Sequence, residues 1–212
     1  MRIGVFDSGI GGQAVANSLQ KSLTNAEIIC VNDHNNMPYG NKTQNKIIEL
    51  TDKAITPLLD MKCDAIVIAC NTASTTALST LRLRHLNQKF IGLDPMIKPA
   101  ANITKTKCIA VCATPRTLKS DRYYELKEIW TKDIKVIEPD CSSWASLIES
   151  GEIDKIELIP IINQLIEQNV DVIVLGCTHY HLIKQQIIDI TGDKVVVLEP
   201  SDAIAERIKN II

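Results

Sequence analysis

The chain has few aromatic residues: 2 Trp, 2 Phe and 4 Tyr make up 4% of it. That is too few for the stacked rings on which single-stranded nucleic acid binds. It also lacks an excess of charge. The net charge is −2 and the pI is near 6.1, so nothing electrostatic calls for a nucleic-acid or anionic-membrane partner. No apolar run approaches the length of a bilayer span. No signal peptide is expected either, because the opening "MRIGVFDSG" already reads as a strand. None of the 7 cysteines are in CxxC spacing, and the 4 histidines do not cluster with them, so no metal is expected. An odd number of cysteines, scattered mostly through apolar runs, suits a reducing cytosol better than a disulfide scaffold. A cytoplasmic location is therefore expected.

What is present is an ordinary globular composition, 45% hydrophobic and 23% charged over 212 residues. That length supports one large domain or two small ones. Strands are predicted at 2–6, 27–32, 64–69, 90–93, 108–112, 134–138, 171–175 and 194–198. Between several of them lie helical periodicities such as "KIIELTDKAITPLLDM" and "IELIPIINQLIEQN". This alternation predicts an α/β fold with parallel sheets, whose ligands bind outside the carboxyl ends of the strands.

The two halves resemble each other. "CDAIVIAC" (63–70) aligns with "VDVIVLGC" (170–177), and "IGVFDS" (3–8) aligns with "IAVCAT" (109–114). Ser8 and Cys70 are 62 residues apart, and Thr114 and Cys177 are 63 apart. The expectation is two similar parallel-sheet α/β domains related by a pseudo-twofold axis, with the active site in the cleft between them. The predicted boundaries are 1–94 completed by 195–212 for the first domain, and 95–194 for the second.

Each half places a cysteine at the exit of an equivalent strand. Cys70 is followed by Asn71 and Thr72, and Cys177 by Thr178. Both stretches read as helix starts with these polar residues as caps, and a helix N-terminus lowers a thiol's pKa. Cys30, Cys63, Cys108 and Cys112 read as small core hydrophobes, and Cys141 is ambiguous. Two equivalent thiols facing each other suit inversion at carbon: one thiolate removes a proton from one face and the other thiol returns one to the opposite face, with no cofactor.

Other loops could line the same cleft. "VFDSGIGGQAVA" can cradle an anion on its freed amides, and Gly9, Gly11 and Ala14 fit a dinucleotide pattern with Asp33 as its acidic residue. Asp7, immediately before the loop, opposes a pyrophosphate. A P-loop is excluded, since no GK[ST] follows. Tyr39 and Gly40 read either as ligand contacts or as a Pro-Tyr-Gly turn. Thr114 and Thr117 could bind a carboxylate or cap the next helix. His179, two residues after Cys177, could handle protons. Arg82, Arg84, Lys98 and Lys119 read as solvated helix charges.

Taken together, "FDSGIGG", "MPYGNKT", "ACNTAS", "ATPRTLKSDRY" and "LGCTHY" resemble the glutamate racemases of the aspartate/glutamate racemase superfamily, over nearly the whole chain. The resemblance implies a cofactor-independent interconversion of L- and D-glutamate that supplies D-glutamate for peptidoglycan. It implies Cys70 as the base for D-glutamate and Cys177 as the base for L-glutamate, assisted by Asp7 and His179. It also implies substrate contacts from Asp7, Ser8, Tyr39, Gly40, Asn71, Thr72, Thr114, Thr117, Thr178 and His179, with Glu149 of "SLIESGE" nearby. Glutamate is the expected small-molecule partner. Oligomeric state is open, with a homodimer as the candidate. The chain departs from the family in its short tail, in Asp94, in the lack of a proline after Cys141 and in His181. An aspartate or broader amino-acid racemase is the neighbouring alternative, and a non-catalytic or dinucleotide-binding α/β module is the distant one.

Overall fold

The structure is a computed structural model that describes residues 1–211. It divides into two compact units, Met1–Asp94 with Pro200–Ile212, and Pro95–Glu199.

In the first unit, β1 (Arg2–Asp7), β2 (Glu27–Asn32), β3 (Ala65–Ile68) and β4 (Phe90–Gly92) form one sheet in the order β2-β1-β3-β4, every pair parallel. The apolar runs of β1 and β3 follow from burial on both faces. Ile3, Val5, Ala65 and Val67 pack on one side with Val15 and Leu19 of the helix Gly11–Ser22 and with Ile204 and Ile208 of the helix Ser201–Lys209. Phe6, Ile66 and Ile68 face the other side, against Ile47 and Leu50 of the helix Gln44–Ala54 and Ala73, Ala77 and Leu81 of the helix Asn71–Arg84.

The second unit repeats this plan. β5 (Cys108–Ala113), β6 (Lys135–Ile137), β7 (Val172–Gly176) and β8 (Val196–Leu198) are parallel in the order β6-β5-β7-β8. Ile109, Val111, Val172 and Val174 pack against Ile97, Ala100, Tyr123 and Leu126. All eight predicted strands are present, and the second sheet has the strand order of the first.

Three differences from the sequence reading have physical causes. Residues 195–199 fall in the second unit rather than the first, because β8 pairs with β7, Val172 opposite Val196. The single helical run predicted over 46–61 is two helices, Gln44–Ala54 and Thr56–Asp60. Pro57 lies in the first turn of the second, where its missing N–H costs nothing. The arginines and Lys98 are more than solvated charges. Arg82 donates to Phe90 O at 3.0 Å, Arg84 lies 2.6 Å from Asp52, and the Lys98 ammonium sits 4.7 Å from the Trp130 ring centre.

In a 2-1-3-4 sheet the connections that follow the first and third strands run to opposite faces, here the helices Gly11–Ser22 and Asn71–Arg84, which opens a crevice between the ends of those strands. Asp7 ends β1 with Ser8 next, and Cys70 lies two residues beyond β3. Thr114 and Cys177 directly follow β5 and β7.

Candidate active site

Polar side chains are seldom buried without a role. Here Asp7, Ser8, Asn71, Thr72, Thr114, Thr117, Thr178 and His179 are all buried, and all lie at or just beyond strand exits.

In the first unit, Ala69 N–H donates to Phe6 O at 2.7 Å, which brings the exits of β1 and β3 side by side. Ser8 Oγ then lies 3.1 Å from Cys70 Sγ. Cys70 is itself the residue capping the helix Asn71–Arg84, so Asn71 and Thr72 sit inside its first turn rather than capping it. The buried Asn71 side chain has no hydrogen-bond partner on either Oδ1 or Nδ2. An amide left this way costs free energy unless a ligand or water completes it, and it offers a donor NH2 group and an acceptor oxygen.

The thiol's acidity runs opposite to the sequence reading. Burial, and then the negative charge of Asp7, push Cys70 up to about 11, although the Ser8 hydroxyl and the backbone N–H groups of Ala73 and Ser8 favour its thiolate. The helix terminus is present, but desolvation and a neighbouring carboxylate outweigh it.

The glycine-rich loop serves Asp7. Gly9 N–H donates to Asp7 Oδ2 at 2.9 Å, so this loop amide is already taken by the chain's own carboxylate. A Cβ on Gly12 would lie 2.5 Å from Asp7 Cβ and 2.8 Å from Asn32 Oδ1, so glycine is required there for close packing. Asp33, the acidic residue of the dinucleotide reading, is engaged within its own loop. It accepts from the Tyr39 hydroxyl at 2.7 Å and from Asn36 Nδ2 at 2.9 Å. Tyr39 is buried, with Gly40 beside it in the short turn Tyr39–Asn41, and burial, then the hydrogen bond to Asp33, raises its phenol far above the usual range. These contacts occupy the groups on which the dinucleotide reading relied.

In the second unit, Cys177 Sγ lies 3.8 Å from His179 Nδ1, and His179 Nε2 lies 2.6 Å from Glu149 Oε2. Glu149 ends the helix Trp144–Glu149. A thiol, an imidazole and a carboxylate therefore stand in line, and the carboxylate fixes the ring's orientation. Cys177 does not open an α-helix as predicted. It precedes a 3-10 turn, Thr178–Ile183, and the α-helix begins only at Lys184. A Cβ on Gly176 would lie 2.9 Å from Ala113 Cβ, so glycine lets the exits of β5 and β7 approach. At the β5 exit the Thr114 and Thr117 hydroxyls are 3.0 Å apart, and Thr114 Oγ1 accepts from Thr117 N–H at 3.3 Å, capping the helix Pro115–Leu118.

Two features of the site are not visible in the sequence. Cys141, buried, hydrogen-bonds to the Cys112 thiol, which together with burial raises it well above the usual thiol range. The partners of His179 and Tyr39 could not be paired from the sequence, since Glu149 is 30 residues from the histidine. All seven cysteines are free thiols. Among the described residues, no group of three or more His, Cys, Asp and Glu side chains is placed to hold a metal ion. No helix among them is long and apolar enough to cross a membrane.

Two like α/β units, each with a buried thiol beside a polar partner just past its third strand, are what an amino-acid racemase would carry. The chain belongs to the Asp/Glu/hydantoin racemase family, whose model matches residues 3–208. It is 41% identical over 220 residues to the glutamate racemase of Aliarcobacter butzleri, covering 100% of this chain and 84% of the relative. Its fold matches Escherichia coli glutamate racemase, solved with L-glutamate and the activator UDP-MurNAc-Ala, with a TM-score of 0.87 at 27% identity, covering 99% and 81% of the two chains. It also matches the Francisella tularensis glutamate racemase solved with D-glutamate, with a TM-score of 0.81 at 29% identity, covering 99% and 80%. An aspartate racemase of Picrophilus torridus, at 18% identity, shares the fold.

Proposed function

We propose that the protein interconverts L- and D-glutamate without a cofactor, with Cys70 and Cys177 as its two proton-transfer groups. The observation that carries this reading is the repeat of one device in both units. A buried thiol stands at the exit of the third strand with a polar assistant within contact distance, Ser8 at 3.1 Å in one and His179 at 3.8 Å in the other.

The chemistry follows from the groups present. The α-proton of an amino acid is weakly acidic, so its base must be strong when ionised. A thiol raised to about 11 by burial and Asp7 meets that need once deprotonated. It also rests as a protonated thiol, the form that delivers a proton in the reverse sense. Cys70 removes the proton of D-glutamate and Cys177 that of L-glutamate, and the opposite thiol reprotonates the planar intermediate. Asp7 and His179 exchange protons with their neighbouring thiols, and Glu149 orients His179. The incoming α-ammonium offsets the negative charge of Asp7 and eases ionisation of Cys70.

Asn71, with its amide unpartnered, donates to a substrate carboxylate and accepts from the ammonium. Ser8, Thr72, Thr114, Thr117 and Thr178 supply hydroxyls, and Tyr39 and Gly40 close the loop beside them. The likeness to glutamate racemases favours glutamate over aspartate. The cellular role that follows is supply of D-glutamate for peptidoglycan, in the cytoplasm, by a chain that works as a homodimer.

The test is chiral analysis of product after incubation with L-glutamate, then with L-aspartate, after exhaustive chelation. D-glutamate should form at undiminished rate, and faster than D-aspartate by kcat/KM. Activity that vanishes on chelation and returns with metal would overturn the cofactor-free reading, and a preference for aspartate would overturn the substrate.

A further inference from the structure

Ser74 closes the stretch "ACNTAS" but holds no substrate role in the account above. It is buried, and its hydroxyl both donates and accepts a hydrogen bond. Ser74 Oγ donates to Ile68 O at 2.6 Å and accepts from Leu93 N–H at 2.9 Å. Its own N–H donates to Cys70 O at 2.8 Å. One residue thus touches the last residue of β3, the residue after β4 and the residue that caps the helix. Cys70 is two residues beyond Ile68 and four before Ser74, so the segment bearing the thiol is held at both ends.

The packing leaves little room for this clamp to relax toward β4. A Cβ on Gly92 would lie 3.1 Å from Ser74 Oγ and 2.5 Å from Leu78 Cδ2. Thr75 tightens the same turn, donating from Oγ1 to Asn71 O at 2.9 Å. The preceding residue, Ala73, directs its backbone N–H at the Cys70 sulfur.

We infer that Ser74 is a positioning residue for Cys70: its hydroxyl, bridging the Ile68 carbonyl and the Leu93 amide, keeps the first helical turn where the Ala73 N–H meets the thiol sulfur. A hydroxyl suits the place because one atom both donates and accepts. Ser74→Ala removes the donor to the Ile68 carbonyl and the acceptor for the Leu93 amide, and frees the turn. The part of the inference that concerns turnover rests on the two-thiol reading.

Two readouts test it. The first is alkylation by iodoacetamide at mildly alkaline pH, mapped by peptide mass spectrometry, with Cys177 as the reference within the same molecule. In Ser74→Ala the Cys70 rate should fall severalfold relative to Cys177. The second uses a glutamate analogue with a leaving group on the β-carbon, for which proton abstraction leads to irreversible elimination. This is needed because enantiomers have equal free energy in water, so kcat/KM for racemisation is equal in both directions in every variant. Small misplacements of a reacting group can cost about 10²-fold. Elimination from the D-type analogue should therefore slow by about 10- to 100-fold, with the L-type rate little changed. Parallel loss at both thiols, no change, or faster alkylation of Cys70 would overturn the inference. If Ser74→Ala does not fold, Ser74→Cys, whose thiol makes weaker bonds in the same place, should show the same ordering. Cys70→Ser and Cys177→Ser serve as controls. If they do not lose opposite enantiomers, the two-thiol reading fails, while the alkylation ratio still decides the role of Ser74.

Discussion

Ser8 and Asp7, adjacent in sequence, act on Cys70 in opposite senses. The Ser8 hydroxyl, 3.1 Å from the sulfur, favours the thiolate, and the Asp7 carboxylate opposes it. Burial is the larger effect, and the balance holds the thiol at about 11 in the free enzyme. Alkylation of Cys70 should therefore still be climbing at about pH 10, where an ordinary thiol of pKa about 8.5 has all but reached its plateau. Asp7→Asn should speed alkylation at fixed pH, and Ser8→Ala should slow it. A plateau by about pH 10, or the same sign for both variants, would contradict this electrostatic picture.

The second half-site depends on a different pairing. Glu149 holds His179 at 2.6 Å, and His179 faces Cys177 at 3.8 Å. Glu149→Gln keeps a side chain of the same length but removes the carboxylate that meets His179 Nε2. Positioned acid–base groups contribute about 10²–10⁴-fold, so elimination from the L-type analogue should drop by about 10²-fold while the D-type rate stays near wild type. Equal losses for both enantiomers would show that the pair supports the fold rather than Cys177.

The strand plan was legible because buried parallel strands leave continuous apolar runs, as in "DAIVIA" and "VDVIVLG". The repeated cysteine was legible because each strand exits into polar residues. The acidity of Cys70 was not, since it depends on burial and on Asp7, which is 63 residues away in sequence and brought near by the β1–β3 pairing. The start at Thr178 resembled that at Asn71, yet one opens a 3-10 turn and the other an α-helix. The place of residues 195–199 depended on a non-local pairing of three-residue β8, too short to declare its sheet. Glu149 was identified through family resemblance, and only the fold gave it a partner.

Away from the site, Asp52 joins two helices. Its carboxylate lies 2.6 Å from Arg84 and 2.7 Å from His85. Burial alone would raise its pKa, but the His85 and Arg84 contacts prevail and hold it below the ordinary value. A depressed carboxylate contributes stability that is present above its unfolded-state pKa and lost as pH falls through the folded value. The partners are partly exposed, so Asp52→Asn should cost only about 0–1 kcal/mol at neutral pH. That difference from wild type should vanish in strong acid. Denaturant melts across the acid range would show it, and a difference that grows as pH falls would contradict it.

The central claim is that protons leave and arrive through two different groups. It is tested most directly by converting L-glutamate in D2O and analysing both enantiomers at early times. Two thiols on opposite faces predict D-glutamate fully deuterated at the α-carbon, with no deuterium in the remaining L-glutamate. Protium carried from substrate into product, or deuterium building up in unconverted L-glutamate as fast as product forms, would show a single shared base and contradict the account.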